Sequence, residues 1–407
     1  MKKILYIAMS MPYDSVAHAG GQTLNYYIKA IAKKDDIDVK LVCFANEKMI
    51  EKSDTEKYGI STDIIVRKND YKNIVGNIFS INSKFNPLHR NCNIMTSYAE
   101  HLLINKLNAL RQDNYYPDVI ICEWTQIVLL IDKIKQVFPN SQYVASEHDV
   151  TYLNKYRQYT NEKNVICKTY KRIQYLNTKK RELTAISKYD LVFTHNSKDD
   201  LLLKKDGIPN DKLDVLTPYF HKSVLSYKRS NNDILFYGSM AREENISAAV
   251  WFIENVMPGI KDLPVRFVII GGGVNDRIRK YSSERVIVTG FVESIDKYFS
   301  EAMCFVCPLI YGAGIKVKVL EALYTGIPVL TNEIGIEGID AQKDLDYLYC
   351  SDPLEYEHNI RMIYDKSINN ISGCDFINEE FSYDKSFDNY YKRICGVLGG
   401  NTENDNN

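Results

Sequence analysis

The segment GAGIKVKVLEA, residues 312–322, sets two glycines ahead of two lysines and places one carboxylate, Glu321, in an otherwise apolar helical pattern. Gly312 and Gly314 free the backbone to turn tightly. The N–H groups of about residues 314–316, Ile315 and Lys316 included, can then converge on an anion at the positive end of a helix. With Ile315 opening the helix, Glu321 lies six residues on, roughly 9 Å along the axis at 1.5 Å per residue. That is about the separation of a nucleotide's pyrophosphate from its ribose. Helical side chains lean toward the N-terminus, so Glu321 can accept two ribose hydroxyls and the stretch predicts a nucleotide clamp. The blander alternative is an exposed helix with an incidental glutamate.

Three other clusters sit where strand-like runs end. AGGQ carries Gly20 and Gly21 before a helix expected near Gln22 and Thr23, an arrangement that admits an anion or serves as a flexible cap. Its spacing is not that of a G-x-G-x-x-G fingerprint. SEHD puts His148 between Glu147 and Asp149, so its ring can stay poised near neutral pH or present a nitrogen to a substrate, if it is more than a surface-loop histidine. FYGSMAREEN turns at Gly238 and brings Arg242 to a helix expected to begin around Asn245. An arginine there offers a planar fork to a leaving phosphate, or pairs with Glu243 or Glu244 in solvent. Cys304 and Cys307 have C-x-x-C spacing but stand inside a buried-strand pattern without a second pair, which reads as small hydrophobes.

These loops need a scaffold. Apolar, β-branched runs at 3–9, 39–44, 63–66, 118–123, 142–146 and 190–195, and a second series at 234–238, 265–271, 285–290, 303–309 and 328–332, alternate with helical patterns. Continuous runs of this kind predict parallel strands buried on both faces. Two series predict two doubly wound α/β domains, with ligands beyond the carboxyl ends of the strands. The seam is expected near 213–233. The first domain then spans 1–218 together with a C-terminal helix at 380–397, the second spans 219–379, and the polar tail 398–407 is expected to be disordered.

Composition excludes more than it identifies. With 45% hydrophobic and 25% charged residues and a net charge of −1, the chain lacks the basic field of a nucleic-acid binder. An odd count of nine scattered cysteines argues for a reducing cytoplasm rather than a disulfide framework. The apolar run after Lys2 and Lys3 is too short for a confident secretory signal, and no run reaches membrane-spanning length. Locally, residues 151–187 hold nine basic residues against two acidic ones, interleaved with five tyrosines. Such a stretch suits peripheral contact with an anionic membrane as well as it suits a solvated helix.

Taken together, AGGQ, SEHD, DLVFTHNSKDD, FYGSMAREEN, VIIGGG and above all GAGIKVKVLEALYTGIPVLTNEIGIEGI resemble the GT-B glycosyltransferases of family 4. The resemblance implies two Rossmann-like domains facing across a cleft, with the last helix crossing back to the first. It implies a retaining enzyme that moves a sugar from a nucleotide sugar to a glycan or lipid-linked acceptor, in bacterial cell-surface polysaccharide or glycoconjugate synthesis. Glu321 matches the ribose-binding glutamate, His148 the histidine beside the transferred sugar, and Gly20 and Gly21 the loop facing donor and acceptor. Charge on the leaving phosphate would be met by Arg242, by Lys316 or Lys318 and by the 314–316 N–H groups, with no cofactor or metal required. The expected location is cytoplasmic, with docking to the inner face of the membrane.

Two positions depart from the family pattern. Ala313 stands eight residues before Glu321, where a glutamate is common, and the usual second basic residue near Arg242 falls at Asn245. A catalytically silent partner subunit is the alternative these departures keep open, and a nucleotide-sugar epimerase could share the fold. Sugar and acceptor choice would reside in loops such as 67–92 and 149–165, which carry no readable code.

Overall fold

The computed structural model describes residues 1–14, 16, 19–66, 85–220, 225–312, 314–367, 371–381 and 383–399. Ala313, most of the 67–92 loop and the tail from residue 400 lie outside them. The chain divides into two compact units, Met1–Tyr219 with Tyr383–Asn407, and Phe220–Ser382.

The first unit is built on seven parallel strands: β1 (Lys2–Ala8), β2 (Ile37–Ala45), β3 (Ser61–Val66), β4 (Val119–Glu123), β5 (Gln142–Glu147), β6 (Leu191–Thr194) and β7 (Leu213–Val215). They lie in the order β3-β2-β1-β4-β5-β6-β7. Alternation along β1 sends Leu5 and Ile7 into one apolar layer and Ile4, Tyr6 and Ala8 into the other. A strand buried on both faces must be apolar throughout. Helices α1 (Ala19–Ala32), α2 (Thr151–Thr160) and α3 (Val165–Ile186) follow β1 and β5.

The second unit repeats the plan with β8 (Asp233–Tyr237), β9 (Arg266–Ile270), β10 (Val286–Gly290), β11 (Cys304–Cys307), β12 (Val329–Thr331) and β13 (Leu348–Tyr349), ordered β10-β9-β8-β11-β12-β13. Its site is carried by α4 (Glu243–Asn255) and α5 (Val317–Thr325). Cys304 and Cys307 are fully buried in β11. The last helix, α6 (Tyr383–Gly399), belongs to the first unit. There Tyr390, Ile394 and Leu398 complete an apolar layer, and the Tyr390 and Tyr6 hydroxyls meet at 2.6 Å.

All eleven apolar runs are strands of these sheets, while the short strands β7 and β13 fall outside those runs. In each sheet the strand order reverses between two neighbours, β1 and β4 in the first and β8 and β11 in the second. The loops leaving those neighbours diverge and leave a crevice. All the predicted site residues except His148 are on those loops or the helices they enter, and His148 follows β5, the next strand.

Candidate functional site

In the second unit, the loops after β8 and β9 press together. Gly238 N donates to Ile270 O at 3.0 Å and Met240 N to Gly272 O at 2.7 Å. A Cβ on Gly271, whose φ is 147°, would fall 1.9 Å from Gly238 O, so only glycine allows this approach. Helix α4 begins at Glu243, with Arg242 as its N-cap. The Arg242 guanidinium is largely exposed and paired with Glu244, and Glu243 pairs instead with Arg277 at 2.6 Å. Of the two arginine partners foreseen, the structure selects Glu244.

Across the reversal, the loop after β11 holds positive φ at Gly312 (143°) and Gly314 (70°). Lys316 follows at φ −93° and ψ 90°, so helix α5 opens at Val317 rather than Ile315. Glu321 is therefore about 6 Å from the helix start at 1.5 Å per residue, closer than expected. It is 4% exposed, and its charge helps burial raise the Tyr237 phenol.

The two loops meet through Lys318. Its ammonium donates to Asn245 Oδ1 at 2.5 Å and lies 4.8 Å from the centre of the Phe236 ring, while Asn245 Nδ2 donates to Ser239 O at 2.9 Å. A Cβ on Gly238 would sit 2.8 Å from Asn245 Nδ2 and 3.1 Å from Lys318 Nζ. Burial lowers the Lys318 pKa, the nearby Arg242 charge pushes the same way, and Glu321 acts in opposition. Gly238, Arg242, Lys318 and Glu321 thus form one neighbourhood. Lys316 turns away from it: its ammonium donates to Gly314 O and lies 3.7 Å from the buried Glu337 carboxylate. Glu337 had no signal in the sequence beyond its place in NEIGIEGI.

In the first unit, the loop after β4 supplies what sequence reading missed. His148 Nε2 shares a 2.8 Å hydrogen bond with Glu123 Oε2. The imidazole is stacked between Trp124 (4.7 Å, 18°) and His195 (4.4 Å, 10°). Trp124 holds a left-handed φ of 69°, a strained conformation for an aromatic residue that the packing enforces. Gly20 belongs to the same cluster, since a Cβ there would lie 2.8 Å from Trp124 Nε1 and 3.1 Å from His148 Nδ1. Helix α1 already begins at Ala19, so Gly20 and the buried Gly21 are in its first turn.

Burial raises the Glu123 carboxyl to about 7 and the Glu147 carboxyl to about 8, the latter with help from Asp149 and Asp199. Thr125 Oγ1 donates to Glu147 Oε2 at 2.6 Å. Burial, reinforced by His148, holds His195 well below the usual histidine range. The outcome is a clamped imidazole beside protonatable carboxyls, suited to holding a polar group in one orientation. Among the described residues, no group of three or more His, Cys, Asp or Glu could hold a metal ion.

Residues 231–366 match the sequence profile of the family described as Glycosyl transferases group 1. Along its length the chain is 23% identical to an uncharacterized 44.6 kDa protein in the cps region of Klebsiella pneumoniae, an alignment covering 96% of this chain and all of that one. Similar solved structures include the Anabaena protein HepE in complex with UDP-glucose (11% identity, TM-score 0.66, covering 97% of this chain and 100% of the other). Another is sucrose-phosphate synthase from Thermosynechococcus elongatus (11% identity, TM-score 0.70, 98% and 100%). Two doubly wound parallel sheets and these likenesses agree on the GT-B fold, and the second unit carries a glycosyl transferases group 1 domain at residues 231–366.

Proposed function

We propose that the chain is a retaining transferase that moves a sugar from a uridine diphosphate sugar to a glycan or lipid-linked acceptor during cell-surface polysaccharide assembly. The observation that carries this is the grouping of Arg242, Lys318 and Glu321 around Gly238 at the β8/β11 reversal. Glu321 accepts ribose hydroxyls. Lys318 and Arg242 oppose the charge that grows on the departing diphosphate, as preorganised cations do. The acceptor hydroxyl attacks from the face the diphosphate leaves. His148, oriented by Glu123, is assigned to a hydroxyl of the transferred sugar. The UDP-glucose complex of HepE supports a uridine donor, and the cps-region relative supports polysaccharide synthesis.

The same reading places the protein on an anionic membrane surface through α2 and α3. Val165, Ile166, Ile173 and Leu176 of α3 are exposed, next to the exposed Lys163, Arg172, Lys180 and Arg181. Apolar side chains beside basic ones suit a headgroup interface. Among the described residues no helix is long and apolar enough to cross a membrane.

The test is release of UDP from a panel of UDP-sugars, with and without a lipid-linked acceptor extract and with EDTA present or absent. Acceptor-dependent release that survives EDTA is expected. Epimerised donor without acceptor, or no turnover of any donor under either condition, overturns the reading.

A further inference from the structure

The stack of Trp124, His148 and His195 fixes the plane of the His148 ring. It does not decide which ring nitrogen carries the proton, and that choice governs whether the ring meets a hydroxyl as donor or as acceptor. The deciding contact is with Glu123, whose Oε2 lies 2.8 Å from His148 Nε2.

Glu123 is itself held from β5. It pairs in register with Ser146, so the two side chains share a face of the sheet. Burial raises the Glu123 carboxyl, and the Ser146 hydroxyl, bonded to it, opposes the rise. A hydrogen bond that favours the charged carboxylate is one donated to it, so the single hydroxyl proton of Ser146 points at Glu123. Ser146 Oγ must then accept at its other contact, His195 Nε2 at 3.2 Å. His195 is therefore the Nε2–H tautomer. Its Nδ1 keeps a lone pair, buried with no hydrogen-bond partner among the described residues.

That orphan nitrogen singles out His195. A phenylalanine would stack on His148 without leaving a buried polar atom unpaired, so the advantage left to an imidazole is its Nε2–H. Burial, reinforced by His148, keeps the ring neutral, and it donates without bringing charge into the stack. The hydrogen bonds thus run one way, from His195 to Ser146 to Glu123, and the His148 Nε2–H arrives at the same carboxylate from the other side. The other titratable groups facing Glu123 are Tyr6 of β1, Cys122 of β4, Glu147 of β5 and Tyr390 of α6, and burial raises all four.

We infer that Ser146 and His195 are positioning residues, which hold the Glu123 carboxylate so that His148 keeps its proton on Nε2 and offers Nδ1, the nitrogen on the Gly20 side, as an acceptor. That this acceptor serves a hydroxyl of the transferred sugar rests on the transferase reading, whereas the tautomer can be measured without turnover.

Long-range proton–nitrogen NMR of the full chain, labelled at histidine with nitrogen-15, reads the tautomer at about pH 7.5, between the Glu123 and Glu147 values. His148→Ala identifies the signal. The wild type should show His148 protonated on Nε2 and unprotonated on Nδ1. Ser146→Ala and His195→Phe, the second of which keeps the stack, should each shift the signal toward the Nδ1–H form, because a carboxyl deprived of its donor takes up a proton and donates it to Nε2. In UDP release each variant should lower kcat about tenfold with KM for the donor unchanged, and neither should lower it further in a His148→Ala background. A wild-type ring protonated on Nδ1, a wild-type tautomer retained in either variant, or losses that add to that of His148→Ala would overturn the assignment. The tautomer shift in a protein that turns over no donor would uphold it and count against the transferase reading.

Discussion

Lys318 and Asn245, 73 residues apart in the chain, meet at 2.5 Å across the β8/β11 reversal. Asn245 occupies the place where a second basic residue was expected after Arg242, and the structure fills that place with a lysine from α5. The positive charge missing from α4 is thus supplied from the other side of the crevice.

Replacing Lys318 with methionine keeps the packing over Phe236 and removes the charge. Loss of one preorganised donor to developing charge costs about 10²–10³ in turnover, and kcat for UDP release should fall by about that much. Asn245→Ala, which frees the ammonium and also removes the donor to Ser239 O, should cost about tenfold. Unchanged kcat in both variants would remove the pair from the leaving-group site.

Glu321→Ala should leave the fold intact, since it shortens a side chain beside glycine-rich loops without touching either sheet. Charged hydrogen bonds contribute about 1.5–3 kcal/mol, so UDP should bind roughly 10- to 150-fold more weakly by titration calorimetry. Wild-type affinity would end the assignment of Glu321 to the ribose.

The buried carboxyls make stability depend on pH. Glu123 and Glu147 have folded-state values raised to about 7 and about 8, whereas an unfolded glutamate titrates near 4.3. Between these limits the folded state holds more protons at these two sites, so their contribution to stability is fullest below about pH 4 and is lost as pH rises through about 7 and 8. Thermal unfolding followed across that window should show a falling midpoint. Glu147→Gln, which keeps the neutral form and the Thr125 contact, should flatten the fall. A midpoint that climbs through the same window would contradict the protonated-carboxyl picture.

Vesicle sedimentation tests the α2–α3 surface. Recovery in the pellet should rise with the fraction of anionic lipid and drop with added salt. Ile166→Ser/Ile173→Ser should weaken the binding while salt sensitivity persists. Equal recovery in the supernatant with neutral and anionic vesicles would remove the membrane role.

The sheets were legible because strands buried on both faces must be continuously apolar, and a run such as ILYIA has no other soluble use. Glu321 was legible for a related reason: a lone carboxylate in an apolar helical stripe, behind glycines, is conspicuous in one dimension. What the sequence determined by itself was therefore the doubly wound class and the glycine-led loops, both properties of short contiguous stretches.

The partners came only with the tertiary structure. Glu123 and Trp124 end an ordinary apolar strand and carry no motif. They reach His148 because β4 and β5 are neighbours, and Trp124 reaches Gly20 because β1 and β4 are neighbours. Lys318 finds Asn245, and Lys316 is turned away to Glu337, for the same kind of reason. Periodicity reports which face of an element is buried, but strand order decides which loops converge, and strand order is set by long-range pairing that no local pattern encodes.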